Sequence, residues 1–152
     1  MNVFRLSRKQ FASSLSGKGA SIKGARWNSV DVELIYTSAN RSLAMAEVIV
    51  HFSLSTLPPG FVMLTIFIPD NIAMQELMIK DLPLNWNNFP HPSATQKTGD
   101  KFVNENKFCV LKIPSVVTKG DYNFLINPSH QDFQKIKIIS VEDFPFDQRI
   151  FK

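Results

Sequence analysis

GASIKGARWNSVDVELIYTSANRSLAMAE, residues 19–47, is the stretch that decides the fold and the site of this chain. It begins with a glycine-rich loop carrying Arg26, continues into a strand-like run that reaches Tyr36, and ends in a helix carrying Glu47. A cation, an aromatic ring and a carboxylate are therefore delivered from three kinds of element. Together they suit a site that holds a phosphate, stacks a flat ring and stabilises a positive charge.

The composition is that of a globular protein. The 152 residues are 44% hydrophobic and 20% charged, which predicts one domain, residues 1–152, with a substantial core. The single cysteine, Cys109, excludes an intramolecular disulfide, and no histidine–cysteine cluster predicts a metal site. No apolar run reaches the roughly 18 residues of a membrane span, so we expect a cytoplasmic protein with no membrane partner.

The chain is mildly basic, with a formal net charge of +4. This charge suits a phosphate-bearing ligand, an acidic partner or a nucleic acid, and it does not choose among them. No block of about five like charges marks a nucleic-acid patch, so a solvated basic surface explains the charge equally well.

The loop around Arg26 lacks both the GxxxxGK[ST] and the GxGxxG phosphate-binding fingerprints. A guanidinium can hold phosphate oxygens through two parallel hydrogen bonds, which makes Arg26 a candidate phosphate ligand; a surface ion pair is the alternative. Trp27 is expected to pack and so fix the arginine backbone, and Asn28 to cap the turn. Both are also candidate substrate-binding residues.

Tyr36 and Glu47 each have two interpretations. Tyr36 lies near the end of the predicted strand 32–37, where it faces either a crevice or the core. Glu47 lies in an otherwise apolar helix, 41–52, one turn before His51, and a buried unpaired acid is rare. It therefore faces either solvent or a pocket, and the neighbouring candidate residues favour the pocket.

The pattern of apolar runs predicts an α+β domain with mixed or antiparallel strands. Strands are predicted at 32–37, 62–68, 108–117, 122–126 and 135–140, with a short strand and a helical turn within 3–12. Helices are predicted at 41–52, 71–78 and 95–106, the last interrupted by Gly99. We expect a cleft with strand 32–37 as its floor and helix 41–52 as its wall.

Three further polar residues are candidates for a role. Ser115 follows a strand-ending proline, but no histidine–aspartate pair that would activate a serine nucleophile is identifiable. His91 lies between two prolines in the loop 81–96, a segment long enough to form a lid or ligand wall, and reads as a surface residue. His130 follows a turn and has no assigned role, like His51.

The order of these motifs resembles the RES-domain family, the toxins of bacterial RES–Xre toxin–antitoxin modules. The motif G-x-RWN is followed by Y-T-S and S-L-A-x-x-E, then by PSVV, NFLINPSH and FDQR, over nearly the whole chain. The most specific part is the RWN motif with a tyrosine 10 and a glutamate 21 residues after its arginine. Ala25 replaces the usual second glycine, and Asp31 replaces a common turn glycine, which aspartate tolerates because it accepts left-handed backbone.

The resemblance implies a fold like that of the ADP-ribosyltransferases and an enzyme that consumes NAD as its substrate, without a separate cofactor or metal. Arg26 would hold the NAD phosphates, and Tyr36 would stack at the nicotinamide side. Glu47 would hydrogen-bond the nicotinamide ribose and stabilise an oxocarbenium-like sugar, with Ser115 nearby as a binding residue.

The residues leave three functions open. ADP-ribose can pass to water or phosphate, which degrades NAD, or to a protein, which makes the chain an ADP-ribosyltransferase. The third is a non-catalytic module in which Arg26 and Trp27 recognise a phosphorylated or nucleic-acid partner. For the toxin, the resemblance implies an Xre-like antitoxin that covers the cleft, with any nucleic-acid contact made indirectly through that antitoxin.

Overall fold

The computed structural model describes residues 1–151, and its framework is a seven-stranded mixed sheet. The strands are β1 (Asn2–Arg8), β2 (Ile35–Ser38), β3 (Phe61–Phe67), β4 (Met74–Glu76), β5 (Val110–Pro114), β6 (Tyr122–Ile126) and β7 (Lys137–Asp143). Their order across the sheet is β4-β5-β6-β2-β1-β3-β7, with β4 parallel to β5 and the other neighbouring pairs antiparallel. The predicted α+β class with mixed strands is confirmed.

Three helices accompany the sheet: α1 (Lys18–Lys23), α2 (Arg41–Ile49) and α3 (Ser93–Glu105). Asn40 caps α2 by accepting a 2.8 Å hydrogen bond from the Leu43 amide, which satisfies one of the free donors of the first turn. Because α2 packs against β1 and β2, this cap also fixes the helix over the middle of the sheet. Short 3₁₀ turns lie at Lys9–Phe11, Ile79–Asp81, Gln131–Lys135 and Gln148–Phe151.

The apolar residues of the central strands pack on both faces of the sheet. In β3 the first six residues are all buried, which explains why this strand reads as a continuous apolar run. One face carries a core of Val3, Ile35, Leu64, Ile66 and Ile126, among others. On the other face Trp27 is 4% exposed and packs with Leu34, Phe102, Leu111, Ile113 and Leu125, so its predicted packing role is confirmed.

The sheet is joined weakly between β1 and β2. Within residues 1–151 these strands share one register pair, Phe4 with Ser38, whereas β1 and β3 pair continuously from Asn2–Phe67 to Arg8–Phe61. The two strands therefore diverge, and the divergence opens a space in the middle of the sheet.

The predicted helix at 71–78 is wrong. Met74–Glu76 forms β4, and a 3₁₀ turn follows at Ile79–Asp81. The main-chain groups of β5 form a ladder with this segment, from Met74–Val110 to Glu76–Lys112, and such pairing outweighs the weak helical preference of a short segment.

Other boundaries differ less from the predictions. The helix α1 was not predicted, since Gly19 within it and the flanking Gly17 and Gly24 favour a loop, and β2 begins at residue 35 rather than 32. Gly99 does not interrupt α3. In the described part of the chain, no helix is long and apolar enough to cross a membrane.

Candidate functional site

A cavity of about 690 Å³ lies where β1 and β2 diverge. Its lining includes residues of β1, β2 and α2 and of the loops around Arg26, Phe89 and Val116. Arg26, Tyr36 and Glu47 all line it, so the structure brings the three residues of the RES-like motif to one site. The volume falls in the range of small-molecule and cofactor sites, roughly 300–1,000 Å³.

Glu47 is held at the cavity wall by Ser115. The Ser115 hydroxyl donates to Glu47 Oε1 at 3.2 Å and accepts from the amides of Val117 and Thr118 at 3.1 Å. Ser115 is 4% exposed and therefore has a fixed orientation. It lies behind the carboxylate and contacts it directly.

Burial raises the pKa of Glu47 above its usual range. The Asn123 amide and the Ser115 hydroxyl oppose this shift, followed by the electrostatic interactions of Glu47 with His51 and Arg26. The site thus combines a desolvated carboxylate with donors that stabilise its ionised form.

The guanidinium of Arg26 uses one nitrogen for hydrogen bonds within the protein and lines the cavity. Its Nη1 donates to the backbone oxygens of Trp86 and Asn88, both at 2.8 Å. Within residues 1–151, its Nε and Nη2 form no hydrogen bond. Burial lowers the pKa of Arg26, and the nearby Glu47 and Tyr36 act in the opposite direction. One edge of the guanidinium therefore holds a loop, while its other donors are available to a ligand.

The hydroxyl of Tyr36 links the strand to the arginine loop. It donates to Asn28 Oδ1 at 2.6 Å and accepts from the Trp27 amide at 3.0 Å. Burial raises the pKa of Tyr36, so the hydroxyl stays protonated and can donate. The tyrosine lines the cavity while its hydroxyl fixes the backbone next to Arg26.

Asn28 is placed inside the protein rather than at the cavity. It is 0% exposed, does not line the cavity, and donates to the backbone oxygens of Ala20, Ser29 and Val32. Its predicted role in fixing the turn agrees with this geometry, whereas the expected direct contact with substrate does not. Trp27 does border the cavity, although nearly all of its surface is in the core.

One face of α3 holds the Arg26 loop from behind. The Gln96 amide donates to the oxygens of Ala25 and Asn28 at 3.1 and 3.2 Å. The carboxylate of Asp100 accepts from the backbone amide of Ser29 at 2.9 Å and from its hydroxyl at 2.5 Å. Gly99 lies between these two residues, and a Cβ there would be 1.5 Å from the Trp27 oxygen. The glycine that suggested a helix break is thus required by close contact with the loop.

Several cavity residues were not identified from the sequence. Arg5 lies on β1 and donates to the Ser16 oxygen at 3.3 Å, and burial lowers its pKa. Asn123 lies on β6 beside Glu47, and Phe89 lies at the cavity in the loop that Arg26 holds. For Arg5 the sequence contained a weak signal, a charged residue directly between the apolar Phe4 and Leu6.

The three histidines have different positions. His51 and His91 both line the cavity, so His91 is more than the surface residue expected from the sequence. His91 Nε2 lies 3.3 Å from the Gln96 amide nitrogen. His130 does not line the cavity and caps the 3₁₀ turn at Gln131–Lys135. In the described part of the chain, no three His, Cys, Asp or Glu side chains group as metal ligands.

Comparisons with known proteins agree with the motifs. The RES domain family matches residues 2–147. A protein of Sphingobium sp. named "Prs ADP-ribosylating toxin" is 33% identical over 96% of this chain and 92% of its own length. The "Toxin Res" of Photorhabdus laumondii is 34% identical over 100% of this chain and 98% of its own length.

The fold also has a solved counterpart. A chain from the crystal structure of the M. tuberculosis MbcT–MbcA toxin–antitoxin complex superposes with a TM-score of 0.78 at 16% identity, covering 99% of this chain and 86% of that one. The family match and the full-length relatives together confirm the resemblance predicted from the sequence. The chain therefore belongs to the RES-domain family of toxins.

Proposed function

We propose that this protein is a toxin that breaks the bond between nicotinamide and ribose in NAD. The observation that carries the proposal is the arrangement of Glu47 and Arg26 in one cavity. The carboxylate is partly buried and fixed by Ser115, and the guanidinium has unused donors. Burying an acid costs free energy, and a site that must oppose a developing positive charge provides a reason for it.

In this proposal, the phosphates of NAD bind to the free donors of Arg26, because a guanidinium matches phosphate oxygens in geometry and charge. Tyr36 contributes the face of its ring to the nicotinamide side of the cavity. Glu47 lies against the nicotinamide ribose, and Asn123 lies close to the carboxylate.

The bond between the ribose anomeric carbon and the pyridine nitrogen breaks, and its electron pair stays with nicotinamide, which leaves as a neutral molecule. The ribose becomes oxocarbenium-like, and the Glu47 carboxylate stabilises that charge. Water then adds its oxygen to the anomeric carbon and releases a proton, giving ADP-ribose. A preorganised charge of this kind typically contributes about 100- to 1,000-fold to the rate.

A second function shares the same first step. The Sphingobium relative, 33% identical over 96% of this chain, is named an ADP-ribosylating toxin, which favours transfer of ADP-ribose to a protein. The two functions differ in the group that attacks the anomeric carbon. Phosphate as the attacking group gives a third product from the same cleavage.

A non-catalytic module is the weakest of the alternatives. It requires Trp27 to recognise a partner, yet this side chain is 4% exposed and belongs to the core. It also gives no reason for a partly desolvated carboxylate beside the cavity.

We further propose that an antitoxin of the Xre type binds this protein and blocks the cavity. The support is the fold shared with a chain of a toxin–antitoxin complex. The net charge of +4 favours a partner with an acidic surface, and contact with nucleic acid is then made by the antitoxin alone. Co-expression tests this: the adjacent gene's product should co-purify and restore growth, and failure in both refutes it.

The decisive experiment is incubation of purified protein with NAD, with and without phosphate and with a cell lysate. Release of free nicotinamide shows cleavage. Free ADP-ribose, phosphorylated ADP-ribose or ADP-ribose attached to protein then identifies the acceptor. The Glu47→Gln variant should reduce kcat by about 100- to 1,000-fold with little change in KM. Parent-level turnover by this variant refutes the catalytic role of Glu47.

A further inference from the structure

One aromatic side chain at the cavity is largely exposed to solvent. Phe89 lines the cavity and yet is 86% exposed. Leu84, in the same loop, is 89% exposed but does not line the cavity. Single exposed apolar residues are common on protein surfaces, but a phenyl ring at the edge of a ligand-sized cavity has a surface to offer a ligand.

The segment directly before Phe89 is fixed by packing and by two hydrogen bonds. Trp86 packs against the core formed around Leu111 and Leu125, and its backbone oxygen accepts from Arg26 Nη1 at 2.8 Å. The Asn88 oxygen, directly before Phe89, accepts from the same nitrogen at 2.8 Å. The backbone that carries the ring is therefore held next to the guanidinium that has free donors for a phosphate.

We infer that Phe89 is a stacking surface for the adenine ring of the substrate. This inference rests on the proposed function. In NAD the pyrophosphate lies between the nicotinamide riboside and the adenosine. If Glu47 marks the nicotinamide ribose and Arg26 marks the pyrophosphate, the adenosine extends beyond Arg26, and Phe89 is an exposed ring of the cavity lining in the segment that Arg26 holds. A purine stacks well on a phenyl ring, and Phe89 supplies one whose surface is exposed at the cavity.

The inference assigns an adenine subsite at the rim of the cavity, formed by Phe89 and positioned by Arg26. Because the ring is 86% exposed, replacing it removes almost no packing within the protein. Variants at this position are therefore expected to fold with the parent melting temperature. Any effect on ligand binding then reports the contact itself.

The test compares Phe89→Ala, Phe89→Tyr and the control Leu84→Ala. Two quantities are measured for each: the Kd for ADP, by calorimetry, and the KM for NAD, by nicotinamide release. ADP contains the adenosine and the two phosphates but no nicotinamide. We expect Phe89→Ala to raise both constants in parallel by roughly 5- to 150-fold, the usual range for loss of one base–aromatic stack. Phe89→Tyr and Leu84→Ala should behave like the parent.

The outcomes separate this inference from the proposed function. If Phe89→Ala leaves both constants unchanged, or if the parent does not bind ADP, the adenine subsite is refuted. If it raises the KM for NAD but not the Kd for ADP, the ring contacts the nicotinamide end and the assignment to adenine is wrong. If ADP binding weakens as expected while the parent releases no nicotinamide, the subsite is supported and the NAD-cleaving function fails.

Discussion

Substituting Gly99 by alanine should damage the site without touching the cavity. Gly99 lies in α3 behind the Arg26 loop, and the added Cβ would be 1.5 Å from the Trp27 oxygen and 2.6 Å from its carbonyl carbon. Both neighbours are backbone atoms, so no side chain can rotate away. The helix and the loop must instead move apart.

The size of this movement follows from the geometry. The 1.5 Å separation is roughly 2 Å short of an ordinary carbon–oxygen contact. Overpacking of this kind costs about 1–3 kcal/mol, which corresponds to a fall in melting temperature of roughly 2–12 °C for a chain of this size. Because a 1 Å displacement of a positioning group can cost about 100-fold in rate, we expect kcat/KM for NAD to fall by about 100-fold or more.

Calorimetry and a nicotinamide-release assay measure the two effects, with Gly19→Ala as the matched control. Gly19 lies in α1, and nothing lies within 4 Å of the Cβ that alanine would add there. This control should stabilise the protein by about 0.5–1 kcal/mol, because alanine favours the helix. If Gly99→Ala keeps the parent melting temperature and activity, α3 does not position the loop. If it loses stability but keeps kcat/KM, the close contact is structural only.

Three further predictions concern the groups around Glu47 and Tyr36. Burial raises the pKa of Glu47 above 4.5 in the folded state, so ionisation of this carboxyl destabilises the fold as pH rises. In thermal scans near pH 7, Glu47→Gln should therefore have a higher melting temperature than the parent. Below about pH 4.5 this difference in melting temperature should vanish. Tyr36→Phe leaves Asn28 Oδ1 and the Trp27 amide without their hydrogen-bond partner, and should lower the free energy of unfolding by roughly 1–3 kcal/mol in denaturant titrations. An unchanged denaturation midpoint would contradict the role of the Tyr36 hydroxyl in fixing the arginine loop. Ser115→Ala should lower kcat by up to about 100-fold and move the acidic limb of the pH profile of kcat to higher pH, because a donor that lowers the pKa of Glu47 is lost. If the acidic limb does not move, Ser115 does not act through the carboxylate.

Local patterns in the sequence were sufficient for much of the fold. The predicted strand 122–126 matches β6 at both bounds, and the predicted helix 41–52 begins where α2 begins, at Arg41. These bounds are determined by residues close to them in the sequence, so they can be predicted from the sequence. The segment 71–78 failed because its strand state comes from pairing with β5, more than thirty residues away.

The same distinction applies to the site. The motif predicted that Arg26, Tyr36 and Glu47 share a site, because the loop, strand and helix that carry them follow one another closely in the sequence, and all three residues line the cavity. The sequence did not show that the Tyr36 hydroxyl bonds to the arginine loop, nor that Arg26 holds the loop of Phe89. These contacts bridge segments whose approach is set by the sheet and by α3.

The single register pair between β1 and β2 divides the sheet into two mechanical units. One unit contains β4, β5, β6 and β2, and the other contains β1, β3 and β7. We expect a small rotation about the Phe4–Ser38 pair to change the width of the cavity while the long ladders on either side stay intact. Amide hydrogens at this seam should therefore exchange with deuterium faster than those of β3, and a ligand that spans the seam should slow them. Ligand binding would in this way tighten the sheet itself, beyond the side chains that contact the ligand.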